Sequence, residues 1–103
     1  MIETMEIIIK NGPVNLIHAL IFFSENICYK NKKKFNVSNE FLDNLTRTIR
    51  LWKNEYGSNN RVIDSEEFKV IVQTKDKKEI FHGKGLFPDN YISFKELLGD
   101  IHD

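Results

Sequence analysis

The stretch most suggestive of chemistry is Phe81-His82-Gly83-Lys84-Gly85, in the C-terminal half of the chain. Its two glycines could let backbone N–H groups approach an anion, and Lys84 could neutralise that anion. Phosphate-binding loops, however, usually open directly onto a helix, and here Leu86-Phe87-Pro88 intervenes. The pattern therefore favours the end of a strand, where the glycines allow the following aromatic residues to reach the core.

Three carboxylates lie a little earlier, at Asp64, Glu66 and Glu67. Carboxylates hold the divalent ions of nucleases, but no partner motif accompanies these, so solvated turn residues are the favoured interpretation. The histidines are scattered, and none has a second ligand at metal spacing; they are His18, His82 and His102. A hydrolase built on Asp64, Glu67 or His82 is the least supported hypothesis. The sequence predicts no catalytic residue, no metal site and no cofactor, and hence a protein that is not an enzyme.

Cys28 is the one cysteine, which excludes an intramolecular disulfide and every multi-cysteine metal motif. No activating base stands near it in sequence, so a small buried hydrophobe is expected there. A single cysteine is typical of a reducing compartment, and the cytoplasm is the expected location.

Size and composition indicate one folded domain over residues 1–103. With 41% hydrophobic residues, among them eight Phe, three Tyr and one Trp, the chain has enough apolar surface to form a core. Fifteen basic and fifteen acidic residues cancel, so no overall field draws it to nucleic acid or to a membrane. The most apolar run, residues 14–23, is half the roughly 20 residues that a membrane-spanning helix needs.

The predicted elements that position these side chains begin with a strand over residues 5–9, followed by a turn at Asn11-Gly12-Pro13. Apolar residues then recur at steps of three and four from position 14 to 27, which predicts a buried helix. Residues 29–36 are rich in lysine and predict a loop. Ser38 is the expected N-cap of a second helix, whose apolar stripe ends at Gly57; the stripe comprises Phe41, Leu45, Ile49, Trp52 and Tyr56.

The C-terminal half predicts a hairpin with arms at residues 68–73 and 79–81, which Val62 and Ile63 could extend. A final helix is expected from a capping box at Ser93 and Glu96. Together these elements predict an α+β fold in the order β-α-α-β-β-α, with an antiparallel hairpin packed with three helices.

This half also resembles small uncharacterised bacterial α+β domains. The resemblance covers Trp52-Lys53-Asn54-Glu55-Tyr56, the segment from Val62 to Val72, Phe81-His82-Gly83, and Pro88-Asp89-Asn90-Tyr91 with Phe94. In those domains a W-x-x-x-Y helix end precedes a hairpin and a P-x-N-Y-x-x-F helix start; Ser65 stands where a glycine is usual. The resemblance implies the hairpin and the last helix, and it transfers no catalytic residue.

Two functions follow as hypotheses. The first is a non-enzymatic protein-binding module, such as an inhibitor or immunity-type protein that neutralises a bacterial toxin or defence nuclease, with aromatic anchors at Phe22, Tyr29, Phe87 and Tyr91. The alternative is a small nucleic-acid-binding regulatory protein using a local basic patch. Its candidate contacts are Lys30, Lys32, Lys33, Lys34, Arg47, Arg50, Lys53 and Lys84. Wide apolar stripes also leave a homodimer open.

Overall fold

A computed structural model of the chain describes residues 1–57 and 65–102, which form seven strands in one sheet and two helices. The sheet order is β4-β3-β2-β1-β6-β7-β5, and every pair is antiparallel except β5 with β7. The strands are β1 (Ile2–Asn11), β2 (Val14–Phe22), β3 (Ile27–Lys30), β4 (Lys33–Asn36), β5 (Glu55–Tyr56), β6 (Glu66–Thr74) and β7 (Lys78–Lys84); the helices are α1 (Asn39–Ile49) and α2 (Tyr91–Gly99).

The predicted order β-α-α-β-β-α with three helices is wrong, because the first expected helix is a strand. Residues 14–22 form β2, and the segment continues through a turn into β3. A bulge explains the error: Ile9 pairs with Ile17 and Lys10 pairs with Asn15, so Leu16 is an extra residue on β2. The extra residue breaks the two-residue period of a strand and leaves apolar residues at helix-like spacing.

The lysine-rich segment predicted as a loop is the β3–β4 hairpin. Its two-residue connection is Asn31-Lys32, and both residues have positive φ, 51° and 71°. This is the backbone of a type I′ turn, whose twist matches that of the flanking strands.

The N-terminus of α1 is as predicted. The Phe41 amide donates a hydrogen bond of 3.0 Å to Oγ of Ser38, and Leu42, Leu45 and Ile49 are buried beneath the helix. The helix ends at Ile49 rather than at Gly57, so two residues of the predicted stripe lie beyond it. These are Trp52, which enters the core in an irregular segment, and Tyr56, which lies in β5.

The strand over residues 5–9 and the hairpin of β6 and β7 are confirmed. The last helix exists, but it begins at Tyr91 after Asn90, so the capping box at Ser93 and Glu96 is wrong. Val62 and Ile63 lie outside the described residues. Neither helix among the described residues is long and apolar enough to cross a membrane.

Both helices pack on one face of the sheet. From the central strand, Met5, Ile7 and Ile9 point into this layer and are completely buried. Alternate residues of β6 join them, and an aromatic group built around Phe68 and Trp52 fills the space below α2. The Asn90 side chain ties the two helices together, because its Oδ1 accepts from Trp52 Nε1 at 2.6 Å and its Nδ2 donates to the Thr48 carbonyl at 2.8 Å.

The C-terminus of α2 is held by the sheet. Nζ of Lys30 donates to the carbonyl oxygens of Leu98 and Ile101, at 2.9 and 2.8 Å. A cation at this end of a helix satisfies carbonyls that have no partner within the helix. Lys30, which was assigned to the predicted basic patch, therefore has a structural role.

We expect Lys32→Gly to raise the free energy of unfolding by about 0.5 kcal/mol, because glycine adopts the positive φ of this turn position without steric cost. Urea denaturation followed by circular dichroism measures the change. Lys34→Gly removes the same charge from the adjoining strand and should lower stability by about 0.5–1 kcal/mol. Equal effects of the two substitutions would contradict the turn assignment.

We expect Gly83→Ala to destabilise the fold by about 2 kcal/mol or more, because the new methyl group has no space. A Cβ at this position would collide with the Phe68 ring and lie 2.8 Å from the Leu86 carbonyl oxygen. Gly99→Ala is the matched control: its Cβ would meet nothing within 4 Å, and alanine favours the helix by up to about 1 kcal/mol. Thermal unfolding of the two variants should therefore shift in opposite directions.

Candidate functional site

The face of the sheet opposite the helices carries the candidate site, and we call it the uncovered face. Cross-strand partners point to the same face, and neighbours along a strand alternate. Because Met5, Ile7 and Ile9 face the helices, Glu6, Ile8 and their partners face away. The outward positions of the longer strands are Thr4, Glu6, Ile8, Lys10, His18, Leu20, Phe22, Glu67, Lys69, Ile71, Gln73, Lys78, Ile80, His82 and Lys84, and those of the short strands are Ile27, Tyr29, Lys34, Asn36 and Glu55.

Seven of these outward residues are large and apolar, and we call them the apolar strip: Ile8, Leu20, Phe22, Ile27, Tyr29, Ile71 and Ile80. None of them belongs to the core or packs against it. Tyr29 and Ile80 remain 40% and 41% exposed, and the rings of Phe22 and Tyr29 meet edge to face at 6.0 Å. An antiparallel sheet with one solvated face normally has polar residues at these positions, so the apolar strip needs another explanation.

Beside the strip lies an ionic cluster of four side chains, Lys10, Glu55, Glu67 and His82. Oε2 of Glu67 lies 2.6 Å from Nε2 of His82, and Oε1 of Glu67 lies 3.6 Å from Nζ of Lys10. The other ring nitrogen of His82 lies 3.6 Å from the Glu55 carboxylate. Cross-strand pairing creates this arrangement, since Lys10 pairs with Glu67, and Glu55 pairs with His82.

The hydrogen bond from His82 is the main reason that the pKa of Glu67 lies below its ordinary value; partial burial opposes this shift, and Lys10 adds to it. The cluster lines a shallow depression of about 510 Å³ together with Ile8, Lys69 and Ile80, and this lining contains no Ser, Thr or Cys nucleophile. Within the described residues, no group of three or more His, Cys, Asp or Glu is arranged to hold a metal ion. The cluster thus joins four ionisable side chains through contacts of 2.6–3.6 Å.

Charges on the uncovered face are mixed but unequal. Each of its three glutamates contacts a basic side chain there, including Glu6, whose Oε2 lies 2.8 Å from Nε2 of His18. Five lysines share the face, and three of them, Lys34, Lys69 and Lys78, have no carboxylate partner among the described residues. Positive charge is thus in excess on this face.

The four aromatic residues predicted as interface anchors divide into two pairs. Phe22 and Tyr29 lie together on the uncovered face. Phe87 and Tyr91 stack at 4.4 Å against the core, and Tyr91 is only 5% exposed. Burial and the hydrogen bond that the Tyr91 hydroxyl donates to Glu66 raise its pKa far above the ordinary value. The second pair therefore serves the fold.

The predicted basic residues do not form one surface. Lys34 points to the uncovered face and Lys33 to the opposite side, while Lys32 occupies the turn. Arg47 lies in the helical layer beside α2, and Arg50 lies near the far end of β6. Lys53 follows α1, and Lys84 lies at the end of β7. The lysines at the sheet edge β4 also discourage pairing with another strand, which is a common protection of exposed edges.

The other polar candidates have structural surroundings. Glu66 points toward the helical layer, where it binds the Tyr91 hydroxyl and Nζ of Lys95 at 3.0 Å, and Asp64 lies outside the described residues. Cys28 is buried, and burial raises the pKa of its thiol to about 11 although Lys30 opposes the shift. Such a thiol is protonated at neutral pH and is a poor nucleophile. His102 is exposed after α2.

The predicted site lacked five residues of the apolar strip, two of the ionic cluster and two of the lysines beside them: Ile8, Leu20, Ile27, Ile71 and Ile80; Lys10 and Glu55; and Lys69 and Lys78. One signal for the aliphatic residues was present: the run Val70-Ile71-Val72 is apolar at both alternating positions, which is typical of a strand covered on both faces. Leu20 lies in a similar run of apolar residues, but that run was predicted as a helix. Nothing local indicated Glu55, because its position beside His82 depends on the pairing of β5 with β7.

Comparison of the chain with models of known protein families, with curated proteins and with solved structures finds no match. The resemblance to small bacterial domains stays an expectation.

We expect Glu67→Gln to lower stability at about pH 7 by about 0.5–1 kcal/mol, since a partly exposed charged hydrogen bond is lost. A carboxylate whose pKa is depressed by folding stabilises the protein above its ordinary pKa and loses that contribution as the pH falls through the depressed value. The difference from the unsubstituted protein should therefore shrink as the pH is lowered below the ordinary carboxyl pKa, and it should vanish once Glu67 is protonated in the folded protein. Urea titrations across this range measure it, with Glu25→Gln in an exposed turn as the control; a pH-independent difference would contradict the assignment.

Proposed function

We propose that the protein is a non-enzymatic protein-binding module whose docking surface is the uncovered face. The apolar strip carries this proposal: seven large apolar side chains occupy outward positions and contribute nothing to the core. Continuous apolar patches on a protein surface usually mark sites of interaction. A partner would gain the free energy of removing these side chains from water.

The surroundings of the strip suit a protein interface. Tyrosine and phenylalanine are frequent anchors at the centres of interfaces, and Tyr29 with Phe22 offers such an anchor. The ionic cluster and the pair of Glu6 with His18 supply polar groups whose positions are already set by hydrogen bonds. A surface built on strands needs little ordering when it binds, which reduces the entropic cost of association.

The same features support an inhibitor or immunity-type role, in which the module neutralises a bacterial toxin or a defence nuclease by covering a surface that its target needs. Such a protein requires a rigid, preorganised face and no reaction centre of its own. The ionic cluster offers neither a hydroxyl nor a thiol nucleophile. A reducing, cytoplasmic location is part of the proposal, because Cys28 is a free and buried thiol.

The test is photo-crosslinking in an extract of the native host, with a benzophenone amino acid placed at Tyr29. We expect one dominant crosslinked protein, and Ile80→Glu should reduce its yield about tenfold because it places a charge in the apolar strip. The matched control is Leu51→Glu, at a residue that is 90% exposed after α1; it should leave the yield unchanged.

A second crosslinker position keeps this test specific. Ile92, on α2, is 72% exposed, and it lies on the helical side of the sheet, opposite the face that holds Tyr29. Crosslinks from Ile92 that match those from Tyr29, or an equal loss with Leu51→Glu, would refute docking on the uncovered face.

A further inference from the structure

We propose that the partner presents an apolar surface bordered by carboxylates, so that its negative charges meet the excess lysines of the uncovered face. This inference rests on the proposed function and names the chemistry of the partner. It comes from the distribution of charge around the apolar strip.

The first observation is that the carboxylates of this face are already engaged. Glu67 contacts Lys10 and His82, and Glu6 contacts His18. The remaining carboxylate, that of Glu55, lies 3.6 Å from Nδ1 of His82. A cationic group on a partner would have to compete with these contacts, so the face offers little to a basic surface.

The second observation is that three lysines have no carboxylate partner within the described part of the chain, and the sheet register places each of them beside the strip. Lys34 is the cross-strand partner of Tyr29. Lys69 is the cross-strand partner of Ile8 on one side and of His82 on the other. Lys78 lies two residues before Ile80 on the same face of β7. The ammonium groups therefore border the apolar side chains at both ends of the sheet and near its centre.

The apolar strip and the lysines that border it have different effects on binding. Burial of the apolar strip supplies the affinity, because it removes hydrocarbon from water. Lysines that border an interface mainly accelerate association and fix the orientation of the partner, and their effect falls as salt rises. A carboxylate-bordered partner would thus associate faster at low salt, while its dissociation would depend on the aromatic and aliphatic contacts.

The excess of lysine on the uncovered face disfavours a second copy of the chain as the partner. Two uncovered faces packed together would oppose Lys34, Lys69 and Lys78 to the same excess of lysine, and like charges across an interface cost free energy. The apolar strip also disfavours nucleic acid, because nucleic-acid binding depends mainly on phosphate contacts and would leave the aliphatic side chains of the strip without a complementary surface.

The experiment titrates the isotopically labelled full chain with two synthetic peptides of about 12 residues and follows the amide signals by NMR. One peptide alternates glutamate and leucine, and the other alternates lysine and leucine. We expect only the acidic peptide to shift the signals of the uncovered face, in a saturable way, and raising the salt concentration should weaken its binding. Equal binding of the lysine peptide, or shifts confined to the helices, would overturn the inference.

Matched variants locate the charge effect. The triple variant Lys34→Gln, Lys69→Gln and Lys78→Gln should raise the dissociation constant of the acidic peptide about tenfold. The control triple variant Lys32→Gln, Lys53→Gln and Lys75→Gln removes the same charge from exposed positions in turns and loops, and it should change the constant less than about twofold. If the two triple variants weaken binding equally, the attraction is nonspecific and the inference is wrong. The amide spectrum of each free variant verifies its fold.

Two further measurements separate this inference from its alternatives and from the proposed function. Tighter binding of poly(A) RNA than of the acidic peptide at the same residues would replace the protein partner with nucleic acid. A partner that crosslinks from Tyr29 but contacts the face through lysine or arginine would leave the proposed function standing and refute the carboxylate border. Failure of crosslinking from Tyr29 would refute the proposed function itself.

Discussion

The central strand β1 is the constraint on which the rest of the structure depends. It pairs with β2 on one side and β6 on the other along almost its whole length, and its inward residues Met5, Ile7 and Ile9 are completely buried. Once these three side chains face the helices, the alternation of the strand directs Glu6 and Ile8 to the opposite side. The register of the hydrogen bonds then sets which residues of each neighbouring strand face the helices.

The two helices complete one side of the sheet, and particular polar contacts hold them there. Asn90 joins the end of α1 to the start of α2 through Trp52 and the Thr48 carbonyl. Lys30 binds the carbonyl oxygens at the end of α2. These bonds fix the helices on the inner face, and no element among residues 1–57 and 65–102 covers the outer face. The proposed function follows from that asymmetry, since the outer face still carries large apolar residues.

The ionic cluster contains His82, whose surrounding sequence suggests chemistry. In the fold this stretch is part of the sheet surface. His82 and Glu67 do meet, at 2.6 Å, but on an open sheet among lysines and without a nucleophile in the lining of their depression. Gly83, beside His82, is required because Phe68 packs against its backbone. His82, Gly83 and Lys84, which could have suggested an anion-binding loop, therefore belong to a strand.

The sequence by itself determined the features that depend on near neighbours. The strand at residues 5–9, the Ser38 cap and the hairpin of β6 and β7 all follow from local period, capping chemistry or turn residues. Local period could not identify β2, because the bulge adds Leu16 to the strand and because Leu20 and Phe22 are apolar on the outward face. It also could not decide which alternate residues face the helices, because that choice is made by packing between distant segments. The apolar strip, the contact of Glu55 with His82 and the separation of Lys34 from Arg47 all depend on pairing and packing across the sheet, and only the tertiary structure decided them.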